Sequence, residues 1–169
     1  MLIVFGGLPG VGKTAIAREL ARRIGAVYLR IDSIEQAIRA SGGASQPMND
    51  AGYRVAYAVA EDNLRTGRTV VADSVNPLTL TREAWVSVAR RGGVRTMEIE
   101  VTCSDVAEHR RRVGTRTTDI PGLQLPSWED VLGREYQRWA GDHLVIDTAG
   151  RTVAQNVDAI LRALPGQTC

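Results

Sequence analysis

A glycine-rich stretch near the start of the chain has the residue types and spacing of a polyphosphate-binding loop. It reads Gly7-Leu8-Pro9-Gly10-Val11-Gly12-Lys13-Thr14, a glycine, four residues and then Gly-Lys-Thr. Glycines let the backbone wrap closely enough for several N–H groups to face one anion. We therefore expect the loop to bind the phosphates of ATP, with Lys13 at the β- and γ-phosphates and the Thr14 hydroxyl on Mg²⁺.

The flanking residues fit the strand–loop–helix context that such a loop requires. The apolar run 2–5 precedes it, and apolar residues follow it at helical spacing. Lys13 is also the only lysine in the chain, and every other basic side chain is arginine. A compact, flexible ammonium fits between phosphates. The alternative interpretation is a plain glycine-rich turn between a strand and a helix.

Two aspartates follow apolar stretches at positions where catalytic carboxylates occur. Asp32 can accept the proton of an acceptor hydroxyl and aim its oxygen at the γ-phosphate, although an aspartate here could also be a helix N-cap. Asp73 follows Val70-Val71-Ala72. It is a candidate for holding Mg²⁺ directly or through water, and alternatively a turn residue bonded to the backbone of Ser74 or Val75.

Several arginines are candidates for nucleotide and substrate contacts. Arg112 and Arg116 lie four residues apart, so a helix places them on one face. We expect Arg112 to contact the nucleotide by stacking and Arg116 to neutralise charge on the transferring phosphoryl group. Arg30 and Arg39 flank the expected acceptor side, where they could bind an anionic or polyhydroxyl substrate or be ordinary surface residues.

The bulk properties favour one ordinary globular domain over residues 1–169. Hydrophobic residues make up 44% and charged residues 24% of the 169 residues, and the formal net charge of +2 does not by itself indicate a nucleic-acid partner. Two cysteines, Cys103 and Cys169, suggest no disulfide framework, and no apolar run is long enough for a membrane span. The expected location is therefore the cytoplasm. His109 and His143 lack metal-ligand spacing and are interpreted as structural.

Apolar runs alternate with helical patterns along the whole chain, which predicts a parallel sheet with helices on both faces. Ligands bind beyond the carboxyl ends of the strands in such sheets, where Asp32 and Asp73 fall. Residues 115–126 show little periodicity and are expected to form a mobile lid, and residues 128–139 are predicted to be helical. The predicted strands are 2–5, 27–31, 69–73, 94–101 and 144–147, and the other predicted helices are 13–24, 32–40, 49–66, 79–91, 104–113 and 152–164.

Five blocks, in this order, resemble the P-loop kinases related to adenylate kinase. The likeness is closest to the branch with polynucleotide kinase, chloramphenicol phosphotransferase, zeta toxins and gluconate kinase. The blocks are GGLPGVGKT, LRIDSI, GRTVVADSVNP, VTCSDVAEHRRRVGTR and VIDTAG.

The resemblance implies a three-layer α/β/α fold of the P-loop NTPase type, with a five-stranded sheet in the order 2-3-1-4-5. It implies ATP and Mg²⁺ as donor and cofactor. Asp32 matches the position of the base that faces the acceptor hydroxyl. Arg112 and Arg116 match the paired lid arginines, the first towards adenine and the second towards phosphates.

The leading hypothesis is an ATP-dependent kinase that phosphorylates a hydroxyl of a small molecule. A 5′-hydroxyl polynucleotide kinase is an alternative, although no basic surface interleaved with aromatics supports a nucleic-acid partner. A nucleotide-binding switch or ATPase without an acceptor, and a zeta-toxin-like nucleotide-sugar kinase, are the others. The sequence leaves the acceptor and the oligomeric state open.

Overall fold

The computed structural model describes residues 1–42 and 50–165. The predicted start of a helix at residue 49, and Cys169, lie outside these residues. The strands are β1 (Leu2–Gly6), β2 (Val27–Arg30), β3 (Val70–Asp73), β4 (Thr96–Thr102) and β5 (Leu144–Asp147). The helices are α1 (Lys13–Ile24), α2 (Ile31–Ala40), α3 (Ala51–Arg65), α4 (Thr79–Arg91), α5 (Val106–Thr115), α6 (Trp128–Leu132) and α7 (Val153–Ala163).

The five strands form one parallel sheet in the order β2-β3-β1-β4-β5, which confirms the predicted topology. β1 lies at the centre, where Phe5 pairs with Asp73 of β3 on one side and with Ile99 of β4 on the other. All five residues of β1 are buried, as its uninterrupted apolar sequence predicts for a strand covered on both faces. The end of β1 therefore delivers the phosphate loop to the middle of the sheet edge.

Two apolar cores sandwich the sheet and give three layers. Ile3 and Phe5 belong to the core under α1 and α7, and Leu2 and Val4 belong to the core under α2, α3 and α4. This alternation follows from the two-residue period of a strand. Trp85 of α4 is fully buried in the second core, where its ring meets Tyr57 edge-on at 4.6 Å between centroids. The α/β/α arrangement predicted from the sequence is thus confirmed.

The prediction of a helix over residues 128–139 is wrong beyond Leu132. Gly133 ends α6, and the following segment is held to the sheet by side chains. Tyr136 donates to Glu100 at 3.1 Å, and Trp139 donates to the Tyr136 hydroxyl at 2.7 Å. The Arg82 guanidinium lies 4.8 Å from the centroid of the Trp139 ring. Because these partners come from distant positions in the chain, periodicity alone could not reveal them.

Within residues 1–42 and 50–165, no helix combines the length and the apolar character needed to cross a bilayer.

Candidate active site

The phosphate loop adopts a backbone conformation that only glycine takes readily. Gly7, Gly10 and Gly12 have φ angles of 134°, 88° and 98°. A Cβ atom on Gly7 would overlap the backbone carbonyl oxygen of Val101, and one on Gly10 would overlap the Val113 side chain. Glycine is therefore required here for two reasons. The backbone is left-handed, and other segments of the same chain approach it too closely for a side chain.

Three distant parts of the chain hold the loop in place. The Gly7 N–H donates to the Val75 carbonyl at 3.0 Å, and a ring nitrogen of His109 lies 2.8 Å from the Pro9 carbonyl. The Thr148 hydroxyl lies 2.9 Å from the carbonyl oxygen of Val11. His109 is itself buried, so it is a structural residue, as interpreted from the sequence.

Lys13 lies inside the loop, with only 7% of its surface exposed. Its ammonium donates to the Leu8 carbonyl at 3.2 Å, a long bond that a phosphate oxygen can replace. Burial lowers the pKa of Lys13, while the carboxylates of Asp73 and Asp32 act in the opposite direction. Both candidate carboxylates are thus close enough for their charges to act on this ammonium.

Asp73 is buried at the carboxyl end of β3 and has a partner that the sequence did not indicate. The Tyr28 hydroxyl donates to Asp73 Oδ2 at 2.7 Å, in place of the backbone contacts considered above. Burial and the adjacent carboxylate raise the pKa of Tyr28 far above its usual value, so the phenol remains a donor. One carboxylate oxygen is therefore committed to Tyr28, and the other remains an acceptor.

The oxygen atoms of Thr14 and Asp73 fit Mg²⁺, which binds one or two protein oxygens together with phosphates and water. Thr14 lies in the first turn of α1, and its hydroxyl makes no hydrogen bond to any described residue. In the described parts of the chain, no group of three or more His, Cys, Asp or Glu side chains could hold a metal alone. The donor set therefore suits an ion that arrives with a polyphosphate.

Asp32 lies in the first turn of α2, one residue further into the helix than expected. Ile31 begins the helix, and Arg30 occupies the N-cap position without a capping bond from its side chain. An acidic side chain in the first turn is stabilised by the helix dipole. The Asp32 side chain is 48% exposed, and Oδ2 lies 4.0 Å from Nε of Arg30. The carboxylate is thus accessible to a substrate.

The two candidate arginines at the C-terminal end of α5 differ in how firmly they are held. Arg112 donates to the Thr148 hydroxyl at 2.8 Å and to Glu108 at 2.6 Å, and its guanidinium lies against the loop at Gly12. The side chain of Arg116, at the C-cap, donates one bond of 3.4 Å within the described residues, to the Pro126 carbonyl. Burial lowers the pKa of Arg116. Its Nε is buried without a partner among the described residues, so an incoming anion would improve its environment.

A single cleft of about 1080 Å³ brings most of these groups together. Lys13, Thr14, Asp32, Arg112 and Arg116 all line it, whereas Asp73 is buried and is not one of the lining residues. This volume is slightly above the usual range for sites that hold one small ligand, which leaves room for a second ligand.

Sequence reasoning missed four further charged residues of the cleft. Arg18 follows Thr14 by four residues, so helical spacing from the loop could have identified it. The other three, which no periodic signal marks, are Glu35, Asp119 and Arg134.

A first prediction concerns the loop backbone. We expect Gly7→Ala to destabilise the fold by about 2–4 kcal/mol, because a strained backbone and a clash with a main-chain oxygen act together. Gly25→Ala is the matched control, since Gly25 has a φ of 63° with nothing within 4 Å of its Cβ position. Chemical denaturation measures both variants. Equal losses of stability in the two would contradict the close contact with Val101.

Comparison with known proteins agrees with this geometry. A family model described as an AAA domain matches residues 2–132. No curated protein is significantly similar to the chain in sequence.

Among solved structures, the Mycobacterium tuberculosis APS kinase in complex with AMPPNP and APS is similar over 95% of each chain, with 21% identity and a TM-score of 0.69. A gluconokinase from Sinorhizobium meliloti is similar over 95% of this chain and 89% of that one, with 20% identity and a TM-score of 0.66. Chaetomium thermophilum Kti12 in complex with ADP-AlF3 is similar over 98% of this chain and 100% of that one, with 23% identity and a TM-score of 0.68.

The structural matches establish a shared fold, and the family match spans more than half of the chain. The chain therefore belongs to the AAA domain family and has the kinase-like nucleotide-binding fold of the small P-loop kinases.

Proposed function

We propose that the protein is a kinase that transfers the γ-phosphate of ATP to a hydroxyl group of a small molecule. The observation that carries this proposal is the shared cleft, in which the phosphate loop and the exposed carboxylate of Asp32 face one space. The cleft also leaves room for a second ligand beside the nucleotide, which an ATPase without an acceptor would not need. The names of the APS kinase and the gluconokinase among the similar structures support the same reaction class.

The transfer assigns one role to each of three side chains. Asp32 accepts the proton of the acceptor hydroxyl while the hydroxyl oxygen forms a bond to the γ-phosphorus. The bond from that phosphorus to the β–γ bridging oxygen breaks. Lys13 donates to the oxygens of the transferring group. Arg116, whose Nε has no hydrogen-bond partner in the part of the chain that the structure describes, stabilises the charge that develops there. ADP and the phosphorylated acceptor are the products.

The nucleotide and metal sites complete the proposal. The backbone of residues 7–14 would hold the phosphates, and Arg112, fixed by Glu108 and Thr148, would flank the nucleotide. Thr14 and Asp73 would hold Mg²⁺, which supplies charge neutralisation on the phosphates. The 115–126 segment, which borders the cleft through residues such as Thr117 and Leu123, would exclude water as a lid.

A transfer assay with γ-labelled ATP tests this function directly. The purified protein is incubated with Mg²⁺ and pooled sugars, sugar acids, antibiotics, nucleosides and oligonucleotides, and labelled products are separated from ATP. We expect label on a small molecule, at a rate far above that of ATP hydrolysis. Calorimetry showing that the protein does not bind ATP in the presence of Mg²⁺ would contradict the proposal.

The similarity to Kti12, seen with ADP-AlF3, favours an ATPase or nucleotide switch as the second candidate. That function predicts slow hydrolysis that does not change when Asp32 is replaced by asparagine. It also predicts no labelled acceptor in any pool.

A further inference from the structure

The cleft carries more positive charge than a bound nucleotide would use. Seven basic and three acidic side chains line it. Three of the basic groups belong to the proposed nucleotide site, and bound Mg²⁺ would offset part of the charge on the triphosphate. The excess therefore lies mainly with the four other basic residues, which are Arg18, Arg30, Arg39 and Arg134.

Arg30 has unused capacity to bind an anion. Its side chain is only 11% exposed, and among the described residues it makes a single hydrogen bond, from Nη1 to Asp119 at 2.6 Å. Its Nε is buried and lies 4.0 Å from Asp32, too far for a hydrogen bond. A guanidinium offers five N–H donors in a fork suited to planar or tetrahedral oxyanions.

Asp119 is the anionic group that is bonded to Arg30 in this structure. It belongs to the 115–126 segment and accepts from Arg18 at 2.5 Å as well as from Arg30. These two guanidinium groups hold the pKa of Asp119 well below its usual range. Both Arg18 and Asp119 are more than half exposed, and ion pairs so open to water are weak. An external anion can therefore compete for this place.

Arg134 is a further cation that lines the cleft. In the part of the chain that the structure describes, it forms no ion pair. Burial lowers the pKa values of Lys13 and Arg116, and the charge of Arg134 acts in the same direction. Burial raises the pKa of Glu35, against the effect of Arg134. The space between the phosphate loop and α2 is thus bordered by cations as well as by Asp32.

We propose that the acceptor carries an anionic group, a phosphate, sulfate or carboxylate, and that this group replaces Asp119 between Arg18 and Arg30 when the acceptor binds. The proposal rests on the kinase function above. Because Arg30 is adjacent to Asp32, an anion held there brings a hydroxyl of the same molecule beside the proposed base. Asp119 then acts as an internal competitor that any acceptor has to displace.

Binding of inorganic phosphate to the full chain tests the site. The phosphate loop is first filled with Mg²⁺ and AMPPNP, so that the probe reports only the second position, and affinity is measured by calorimetry. We expect Asp119→Asn to tighten phosphate binding about three- to fivefold, since an exposed carboxylate competitor is removed. We expect Arg30→Gln to weaken it about tenfold, since a charge-assisted fork is lost.

The matched controls change the net charge identically outside the cleft. Asp158→Asn removes an exposed carboxylate paired with Arg23, and Arg22→Gln removes an exposed guanidinium paired with Glu19. We expect both to leave phosphate affinity within about twofold of the wild type, because surface charges at this distance are screened. Thermal unfolding of every variant checks that the fold is intact.

Transfer from labelled ATP to paired acceptors tests the substrate class. The pairs are glycerol with glycerol 3-phosphate and glucose with gluconate, and a 5′-hydroxyl oligonucleotide forms a separate arm. We expect label only on the anionic member of a pair, with a lower KM in Asp119→Asn. Three outcomes would overturn the proposal. The first is equal transfer to the neutral members of the pairs, and the second is transfer to the oligonucleotide alone. The third is no transfer to either anionic probe, together with unchanged phosphate affinity in Asp119→Asn and Arg30→Gln.

The binding step separates this proposal from the kinase function itself. Failure of the wild type to bind AMPPNP would contradict the kinase and the acceptor class together. Normal AMPPNP binding, with phosphate affinities in Asp119→Asn and Arg30→Gln equal to those of their controls, would contradict the anion site alone.

Discussion

We expect Lys13→Ala to reduce phosphoryl transfer by about 1000-fold, which is at the upper limit for removing one donor to a developing charge. The ammonium is buried inside the loop, where a charge acts with little screening by water. Because its pKa is lowered by burial, the cation is itself destabilised in the folded protein. The variant should therefore keep a melting temperature close to that of the wild type. Single-turnover transfer and thermal unfolding measure the two effects.

Two further variants separate charge from shape at this position. Lys13→Arg keeps the positive charge but replaces a compact ammonium by a planar fork, and we expect most of the activity to be lost. Arg22→Ala removes an exposed cation from the same helix and should leave transfer unchanged. Near-normal transfer in Lys13→Ala, with the protein folded, would contradict the role of the loop.

The second large effect is expected at Asp32. Replacing it with asparagine removes the proton acceptor but keeps the size of the side chain, so we expect kcat to fall by about 10²- to 10⁴-fold. ATP affinity should stay within about twofold of the wild type, because the carboxylate faces the acceptor side of the cleft. Calorimetry with AMPPNP and steady-state transfer to the acceptor found in the screen give the two numbers.

Asp62→Asn is the control for this experiment, since it exchanges the same groups on the exposed face of α3. Loss of the helix-dipole interaction in Asp32→Asn would lower stability by only about 0.3–1 kcal/mol. Full transfer activity in Asp32→Asn would show that another group, or solvent, takes the proton.

Local patterns in the sequence predicted most of the frame that carries the site. The buried run of β1, the glycines after it and the alternation of strands and helices implied a parallel sheet. The resemblance added the strand order, which the structure confirms. The rule that ligands bind beyond the carboxyl ends of parallel strands also selected Asp32, which lines the cleft, and Asp73, which is buried and does not line it. These features depend on neighbours in the sequence, so they are visible without a structure.

Other features depend on contacts between remote positions. The bond from Tyr28 to Asp73 joins residues on adjacent strands, and nothing in the spacing of either strand indicates it. Asp119 lies in a stretch without periodicity, and only the fold brings it to Arg18 and Arg30. The false helix after Leu132 has the same cause, because its apolar and polar residues are satisfied by Glu100 and Arg82.

The three bonds to the loop, at Gly7, Pro9 and Val11, mean that its amides are aligned before any nucleotide arrives. Nucleotide binding therefore costs little conformational entropy in this loop, because the loop is already ordered when the protein folds. That ordering is included in the free energy of folding. Substitutions at His109 or Thr148, which need not touch a phosphate, would weaken nucleotide affinity and stability together. By linkage, saturating nucleotide would restore part of the stability that such variants lose.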